Sequence, residues 1–400
     1  MSKGFSTESL VGRLVLMLGH VAGMLDLVIL PLWVGGMMAT YKFQPQEAGG
    51  IVTMFLLGVL ASNALLSRRF GRLPDRWIVT LGYALAAAAF FAMTRLPLWG
   101  GSRFVELSVL HVVAGLGIGA GLSCVHGTIA RSANPHRTFA IANFGVGLFA
   151  ILFFALTPPL MARLGVDAVF LAVLAIVTAA ALVSALAFPR AAEIVATPRP
   201  TDGSGAWAGF GTALAIGFAG VVFLQTAQAA STSFAERVGE FRGFGLPAIG
   251  AMLAINGFVA LTPSMLAGLL QKKLSAIAVA ACALVVHGLC SIALMNATEF
   301  LVYSAAFMIM IFATIFGHTF IFGLFARLDP TGRMNASTPS MLMLGTAVGP
   351  ALGGVVVQNF GFPALGFTSA GIAFAGAACF MLLGLRLRAH PALAAQAQPA

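Results

Sequence analysis

The sequence predicts an all-α polytopic membrane protein: twelve transmembrane helices in two pseudo-symmetric bundles of six. Three observations carry that expectation. The chain is too apolar for water, it contains twelve apolar runs of membrane-crossing length, and its two halves repeat. Of 400 residues, 60% are hydrophobic and only 8% charged, whereas a soluble domain carries roughly a quarter charged residues. Mean hydropathy is +0.98. Crossing a hydrocarbon core of about 30 Å takes about 20 helical residues, so twelve crossings need about 240. The hydrophobic share of this chain supplies that number. Collagen-like, disulfide-stapled, disordered and secreted soluble classes are excluded at this step.

The apolar runs fall at about 12–40, 48–67, 77–95, 103–130, 138–162 and 166–188, then at about 207–234, 246–270, 275–296, 299–325, 337–360 and 363–385. The first is too long for the core of a signal peptide and reads as an uncleaved span. Between the two sets lies PRAAEIVATPRPTDGSGA, residues 189–206, the one long polar interior stretch. Its Pro, Gly and charge content marks a linker. The expected organisation is a six-helix bundle over 1–188, a cytoplasmic linker over 189–206 and a second six-helix bundle over 207–400.

Lys and Arg number 22 against 12 Asp and Glu, a formal charge of +10. In loop alternation, sixteen basic residues fall on one side, among them Arg68, Arg69, Arg72, Arg76, Lys272 and Lys273, and six on the other. The positive-inside rule then places both termini in the cytoplasm. It accounts for the net charge without a nucleic-acid partner. The expected setting is the plasma membrane, as in a bacterial inner membrane. The four cysteines lie in apolar runs without a C-x-x-C pair and read as small buried hydrophobes. No P-loop, paired carboxylates or His/Asp metal cluster is present. No enzyme activity, cofactor or metal is therefore expected, and energy must come from an ion gradient.

The halves are related. ALLSRRF (64–70) matches GLLQKKL (268–274) in character, and ARSANPHR (130–137) matches ARLDPTGR (326–333), at offsets of 204 and 196 residues. A duplication of this length in a membrane chain points to a transporter whose two bundles rock about a site between them.

The loop NALLSRRFGRLP (63–74) resembles the G-x-L-S-D-R-x-G-R-R signature of the major facilitator superfamily. Ser67, Arg69, Gly71 and Arg72 match; Ala64 replaces the first Gly, and Arg68 stands where the family has Asp. HVVAGLGIG (111–119) is similar to the family's R-x-x-x-G-x-G-x-G element, with His111 in the Arg position. GTAVGPALGG (345–354) resembles the G-x-x-x-G-P-x-x-G-G element, which the family's drug/proton antiporters carry in span five. Here it lies in span eleven, and span five has Gly145 and Gly147 without a Gly-Pro. The resemblance covers the whole chain and implies alternating access. It implies gating roles for Arg68, Arg69, Gly71, Arg72, Gly349 and Pro350. Simple cationic anchoring remains the competing reading of the arginines, and close helix packing that of the glycines.

Asp26 is the sharpest single residue. It is the one acid deep inside an apolar run, 13 residues from Arg13 and 14 from Thr40. A carboxylate at that depth is costly and marks function by default. A proton carrier must bind and release within one cycle, and removal from water favours the neutral form. A structural hydrogen-bonding Asp is the alternative. The resemblance implies the same role, since family members often tie a membrane-embedded Asp in span one to proton coupling. His111 is its candidate partner, against a merely satisfied histidine; His20, His126 and His287 read as structural. For substrate, Gln225, Gln228 and Thr232 share one face of span seven, Asn256 lies mid-span in span eight, and His318 in span ten. Trp33 is either an aromatic wall or an interfacial anchor. Interhelical bonding competes with substrate contact for the amides.

The sequence thus predicts a monomeric, proton-coupled secondary transporter of a small organic compound. Export of an apolar or cationic compound is favoured, because no mid-span Lys or Arg is present to receive an anion. The alternative is uptake, by proton symport, of a small metabolite such as an aromatic or organic acid. The partners are the substrate, protons and the lipid bilayer.

Overall fold

A computed structural model of the protein describes residues 5–67, 74–95, 103–190, 207–328 and 338–389. Among them the regular structure is helical, apart from one isolated parallel bridge between Ser6 and Arg190. In chain order the helices are α1 (Leu10–Gly23), α2 (Leu25–Tyr41), α3 (Pro45–Ser67), α4 (Asp75–Arg95), α5 (Arg103–Ala130), α6 (Pro135–Leu164) and α7 (Asp167–Ala187). There follow α8 (Trp207–Ser233), α9 (Ala235–Phe241), α10 (Leu246–Val259), α11 (Thr262–Leu270), α12 (Ala276–Asn296), α13 (Phe300–Leu328) and α14 (Thr338–Ala389).

Eleven stretches among the described residues are long and apolar enough to cross a membrane. The last runs for 50 residues, about 75 Å of helix, more than twice the hydrocarbon thickness. It is broken at Gly361, with φ 81° and ψ 176°, a conformation open to glycine and few other residues. A crossing on each side of Gly361 brings the number to the twelve expected. Two of the expected spans are interrupted helices instead of continuous ones, and the seventh runs on past its expected end through a break. The first opens at Met24 (φ −113°, ψ 20°) and the seventh at Phe234 (φ −110°, ψ 6°). The eighth parts between α10 and α11, where Pro263 sits in the first turn of α11. A proline there gives up an N–H that has no helical acceptor anyway.

The chain divides into two compact units: Met1–Ala196 with Gly245–Gly257, and Thr197–Phe244 with Phe258–Ala400. In the first, α5 packs against α3 and α4, α4 against α7, and α1 against α5, α6 and α7. Most of α10 belongs here, and Gly250 and Gly257 let it approach Pro158 and Ile151 of α6. In the second, α8 lies along α14, α12 packs on α13 and α14, and α11 on α13.

The glycine pattern of α5 has a direct packing meaning. A Cβ on Gly119 would stand 2.5 Å from the Val59 carbonyl oxygen of α3, and Gly115 faces the Phe55 carbonyl of the same helix. Gly117 and Gly121 face Gly82 and Tyr83 of α4. The two interleaved G-x-x-x-G pairs therefore serve two neighbours at once, Gly115, Gly117 and Gly119 against backbone and Gly121 against the Tyr83 ring. In α14, a Cβ on Gly345 would meet Gln225 Cβ at 2.5 Å, and one on Gly349 would meet Ala229 Cβ at 2.5 Å.

One end of the first unit is tied by polar contacts. Ser9 caps α1 through its Oγ, which accepts from the Gly12 N–H at 3.0 Å, and Asn134 caps α6. Glu8 accepts from Arg13 Nη2 at 2.8 Å and from the Ala133 N–H at 2.9 Å. The Arg13 hydrogen bond first, then the Ala133 N–H, hold its carboxyl below the usual carboxylate range. Arg131 pairs with Asp75 at 2.6 Å, and Arg76 donates to the Ala185 carbonyl.

Two expectations follow. Gly117→Ala should destabilise the protein by about 1–3 kcal/mol through overpacking, read as a lower unfolding temperature in detergent. Gly268→Ala, with open space around it, should be neutral or slightly stabilising. Equal behaviour of the two variants would refute the close-packing account. For Glu8, a lowered folded pKa means its contribution is fully present above the ordinary value of 4.5 and lost as pH falls below it. Glu8→Gln should therefore flatten the acid limb of unfolding temperature against pH; an unchanged limb would mean these contacts carry no pH dependence.

Candidate functional site

The break at Met24 positions the chemistry of the first unit. Helix α2 starts afresh at Leu25, so Asp26 occupies its first turn. The leading N–H groups of any helix lack intrahelical acceptors, and an acid is favoured beside them. The Asp26 carboxylate lies against the N–H groups of residues 26 and 27. The residue is only 1% exposed, and its Oδ2 has no hydrogen-bond partner among the described residues.

His111 does not answer to Asp26. Its Nδ1 donates to the Leu107 carbonyl at 2.7 Å, and its Nε2 accepts from Trp33 Nε1 at 3.2 Å. Both ring nitrogens are engaged, which fixes the neutral tautomer with the proton on Nδ1. Trp33 and His111 are both fully buried, packed with Phe55, Phe90 and Phe170. Trp33 is thus neither an interfacial anchor nor, in this conformation, a surface open to a ligand. Its indole has a buried acceptor, the usual requirement for burying a Trp.

Sequence reasoning set aside a second arrangement in the same unit. His20, in the last turn of α1, places Nδ1 at 2.9 Å from His126 Nε2 of α5 and Nε2 at 3.2 Å from Asn143 Oδ1 of α6. An amide oxygen only accepts, so His20 carries its proton on Nε2 and His126 donates to His20 Nδ1. Phe139 closes an edge against both rings. The three polar residues come from three helices, a coincidence that helical period cannot reveal. Only the presence of two histidines and an asparagine within apolar runs signalled it.

In the second unit, Gln225 donates through Nε2 to Thr346 Oγ1 at 3.1 Å, binding α8 to α14. Its Oε1 and that of Gln228 are buried without a partner among the described residues. The Thr232 hydroxyl returns to the Gln228 carbonyl of its own helix at 2.8 Å. His287 Nδ1 and Thr314 Oγ1 are 2.9 Å apart, and the threonine donates to the Met310 carbonyl. The proton between them is therefore on His287, and His287 Nε2 is left an unpaired acceptor. His318 stacks on Phe322 with ring centroids 5.3 Å apart, and its Nε2 is likewise unpaired. Asn256, with Oδ1 unpaired, belongs to the first unit and not to the second, so the structure does not group it with Gln225 and Gln228.

Asp26 is not the one buried acid. Glu236, in α9 just past the Phe234 break, is 3% exposed with Oε2 unpaired. It escaped the sequence reading because it lies two residues beyond the expected end of the seventh apolar run. Gly349 and Pro350 lie buried in α14, the glycine against α8. Arg68, Arg69, Gly71 and Arg72 lie outside the described residues.

A family model for the Major Facilitator Superfamily matches residues 15–330. No curated protein sequence matches the chain. Among solved structures, the nucleoside transporter NupG aligns with a TM-score of 0.70 at 15% identity, over 93% of this chain and 98% of that one. The D-xylose-proton symporter aligns with a TM-score of 0.70 at 15% identity, over 93% and 96%. A bacterial homologue of the human lysosomal transporter Spinster, inward-facing and occupied, aligns at 0.63 and 15% identity, over 97% and 96%. At these identities the likeness is one of fold.

The Trp33–His111 contact has its own test. Trp33→Phe and His111→Phe each orphan a buried group and should cost about 1–3 kcal/mol apiece. The double variant should cost less than the sum, with a coupling of at least about 0.5 kcal/mol in a thermal-unfolding cycle. Strict additivity would show that the two rings do not interact.

Proposed function

This chain belongs to the Major Facilitator Superfamily and is a secondary transporter, and we propose that it couples proton movement to the export of a small apolar or cationic organic compound by alternating access. Asp26 carries the reading. It is a buried acid with one unpartnered oxygen at a helix opening, so either a proton or a cationic group satisfies it. An acid buried in a span with an oxygen unspent suits a group that changes state within a cycle. His111, held neutral between Leu107 and Trp33, takes its part in coupling through position, as the neighbour of Trp33 on α2, the helix that carries Asp26. The loop cations Arg68, Arg69 and Arg72 with Gly71, and the Gly349–Pro350 step, are assigned to gating. The bundles are divided as 1–188 and 207–400 about a cytoplasmic linker at 189–206. We assign the chain to the plasma membrane as a monomer, with both termini in the cytoplasm on the strength of the basic-residue count.

A second reading is uptake, by proton symport, of a small metabolite such as an aromatic or organic acid. The observation favouring it is the set of amide oxygens of Gln225, Gln228 and Asn256, acceptors without a partner among the described residues, which hydroxyl or N–H donors of a polar ligand would satisfy. Two of the fold neighbours are a nucleoside transporter and a sugar–proton symporter.

Reconstitution in proteoliposomes tests both readings. With one proton per cycle, a pH difference of one unit supports roughly tenfold accumulation. Asp26→Asn should bring accumulation to the level without a gradient, while exchange of substrate for substrate persists. Gradient-driven accumulation at the wild-type level in Asp26→Asn would sink the coupling assignment. The sign of the gradient that drives accumulation in vesicles of known orientation separates export from uptake.

A further inference from the structure

A cavity of about 770 Å³ opens in the second unit where the turn between α11 and α12 meets the ends of α13 and α14. Four cations line it: Lys272, Lys273, Arg327 and Arg388. Two of them come from GLLQKKL, the second copy of the repeated loop motif. Among the described residues no Asp or Glu lines the cavity, and none of the four cations is in an ion pair. The Arg327 Nε is buried without a hydrogen-bond partner. Cations gathered around one space repel one another, and a guanidinium N–H removed from water requires an acceptor.

The rest of the lining is apolar. Leu274, Met381 and Leu385 border the same space, with 38%, 54% and 60% of their surfaces exposed. The last two lie on the outer face of a membrane-crossing helix. The cavity thus has a cationic end at the helix termini and an apolar border that runs along the span. A free anion is satisfied by the first half alone. A ligand that uses both is amphipathic, with a negatively charged head and hydrocarbon tails. Four positive charges with no acid beside them among the described residues favour a net-negative head over a zwitterionic one, since a zwitterion brings an ammonium group into the same space.

We propose that this cavity binds the phosphate headgroup of an anionic phospholipid, with the acyl chains lying along the exposed apolar faces of α12 and α14. The side that the basic-residue count assigns to the cytoplasm is the side of this cavity. Juxtamembrane Lys and Arg there meet the negatively charged leaflet. The site is distinct from the buried polar groups assigned to coupling and substrate, and its occupancy is measured without transport.

Native mass spectrometry of the detergent-purified full chain tests it, with phosphatidylglycerol, phosphatidylcholine and inorganic phosphate as probes. Phosphatidylglycerol should be retained in clear preference to phosphatidylcholine. Each cation removed in Lys272→Gln, Lys273→Gln and Arg388→Gln should lower that retention about fivefold, while the charge-preserving Lys272→Arg with Lys273→Arg retains it. Should the neutralised variants not fold, wild-type protein carries the test through competition: excess inorganic phosphate should leave phosphatidylglycerol bound. Equal retention of the two lipids, unchanged retention in folded neutralised variants, or displacement by inorganic phosphate would each overturn the proposal.

Discussion

A bilayer offers no water to a polar group, so every hydrogen-bonding group that a spanning helix frees must be answered from within the protein. The architecture of this chain follows from how it meets that requirement at its helix openings. At Met24 the N–H bonds back to both His20 and Val21 carbonyls, at 3.0 and 3.2 Å, tightening the last turn of α1. On the far side, the Asp26 carboxylate lies against the first N–H groups of α2. Close by, the Tyr83 hydroxyl donates to the Gly19 carbonyl at 2.6 Å. At the Phe234 opening the Tyr303 hydroxyl donates to Ala235 at 2.8 Å. In each unit, a buried tyrosine from a neighbouring helix braces the helix that opens. The openings are therefore built features of the two units.

The same requirement explains what the sequence discloses and what it hides. Span number and length are legible because the hydrocarbon core imposes a fixed count of apolar residues. The glycines of α5 are legible because G-x-x-x-G spacing has one physical use, and here two interleaved copies serve two neighbours. Helix openings are not legible. Met24 and Phe234 are ordinary helix residues in apolar runs, and the openings depend on tertiary contacts with Tyr83 and Tyr303. The His20–His126–Asn143 chain is hidden for a related reason: each residue is identifiable, but the relative rotation of α1, α5 and α6 is set by packing. Trp33 and His111 are read as a possible wall and a possible proton carrier because a sequence gives residue type without partner. The structure supplies the partner, and each satisfies the other. Glu236 is lost to an error of two residues in a span boundary, the least certain feature of any sequence-based division into elements.

The duplication shapes the frame more than the chemistry. Both halves carry glycine-lined helix contacts and an opened helix near a buried acid, and in the sequence a basic stretch follows the second span of each. The polar side chains in the interior differ. The first unit holds Asp26 and a directed histidine pair, His20 with His126. The second holds Gln225, Gln228 and His287, whose atoms without a partner among the described residues are acceptors. An acceptor without a donor, buried away from water, costs free energy that the surrounding packing must offset. Proteins keep such groups where a ligand supplies the donor for part of a cycle, or where a structural bond, such as Gln225 to Thr346, compensates one end of the same side chain. Gln225 shows both at once: its amide nitrogen binds two helices together while its oxygen is left over. A side chain fixed at one end with the other end unspent is oriented before any ligand arrives, and the entropy of ordering it has already been lost in folding. Interhelical bonding, one of the two readings of a lone glutamine in a sequence, engages one end of this residue and leaves the other without a partner among the described residues.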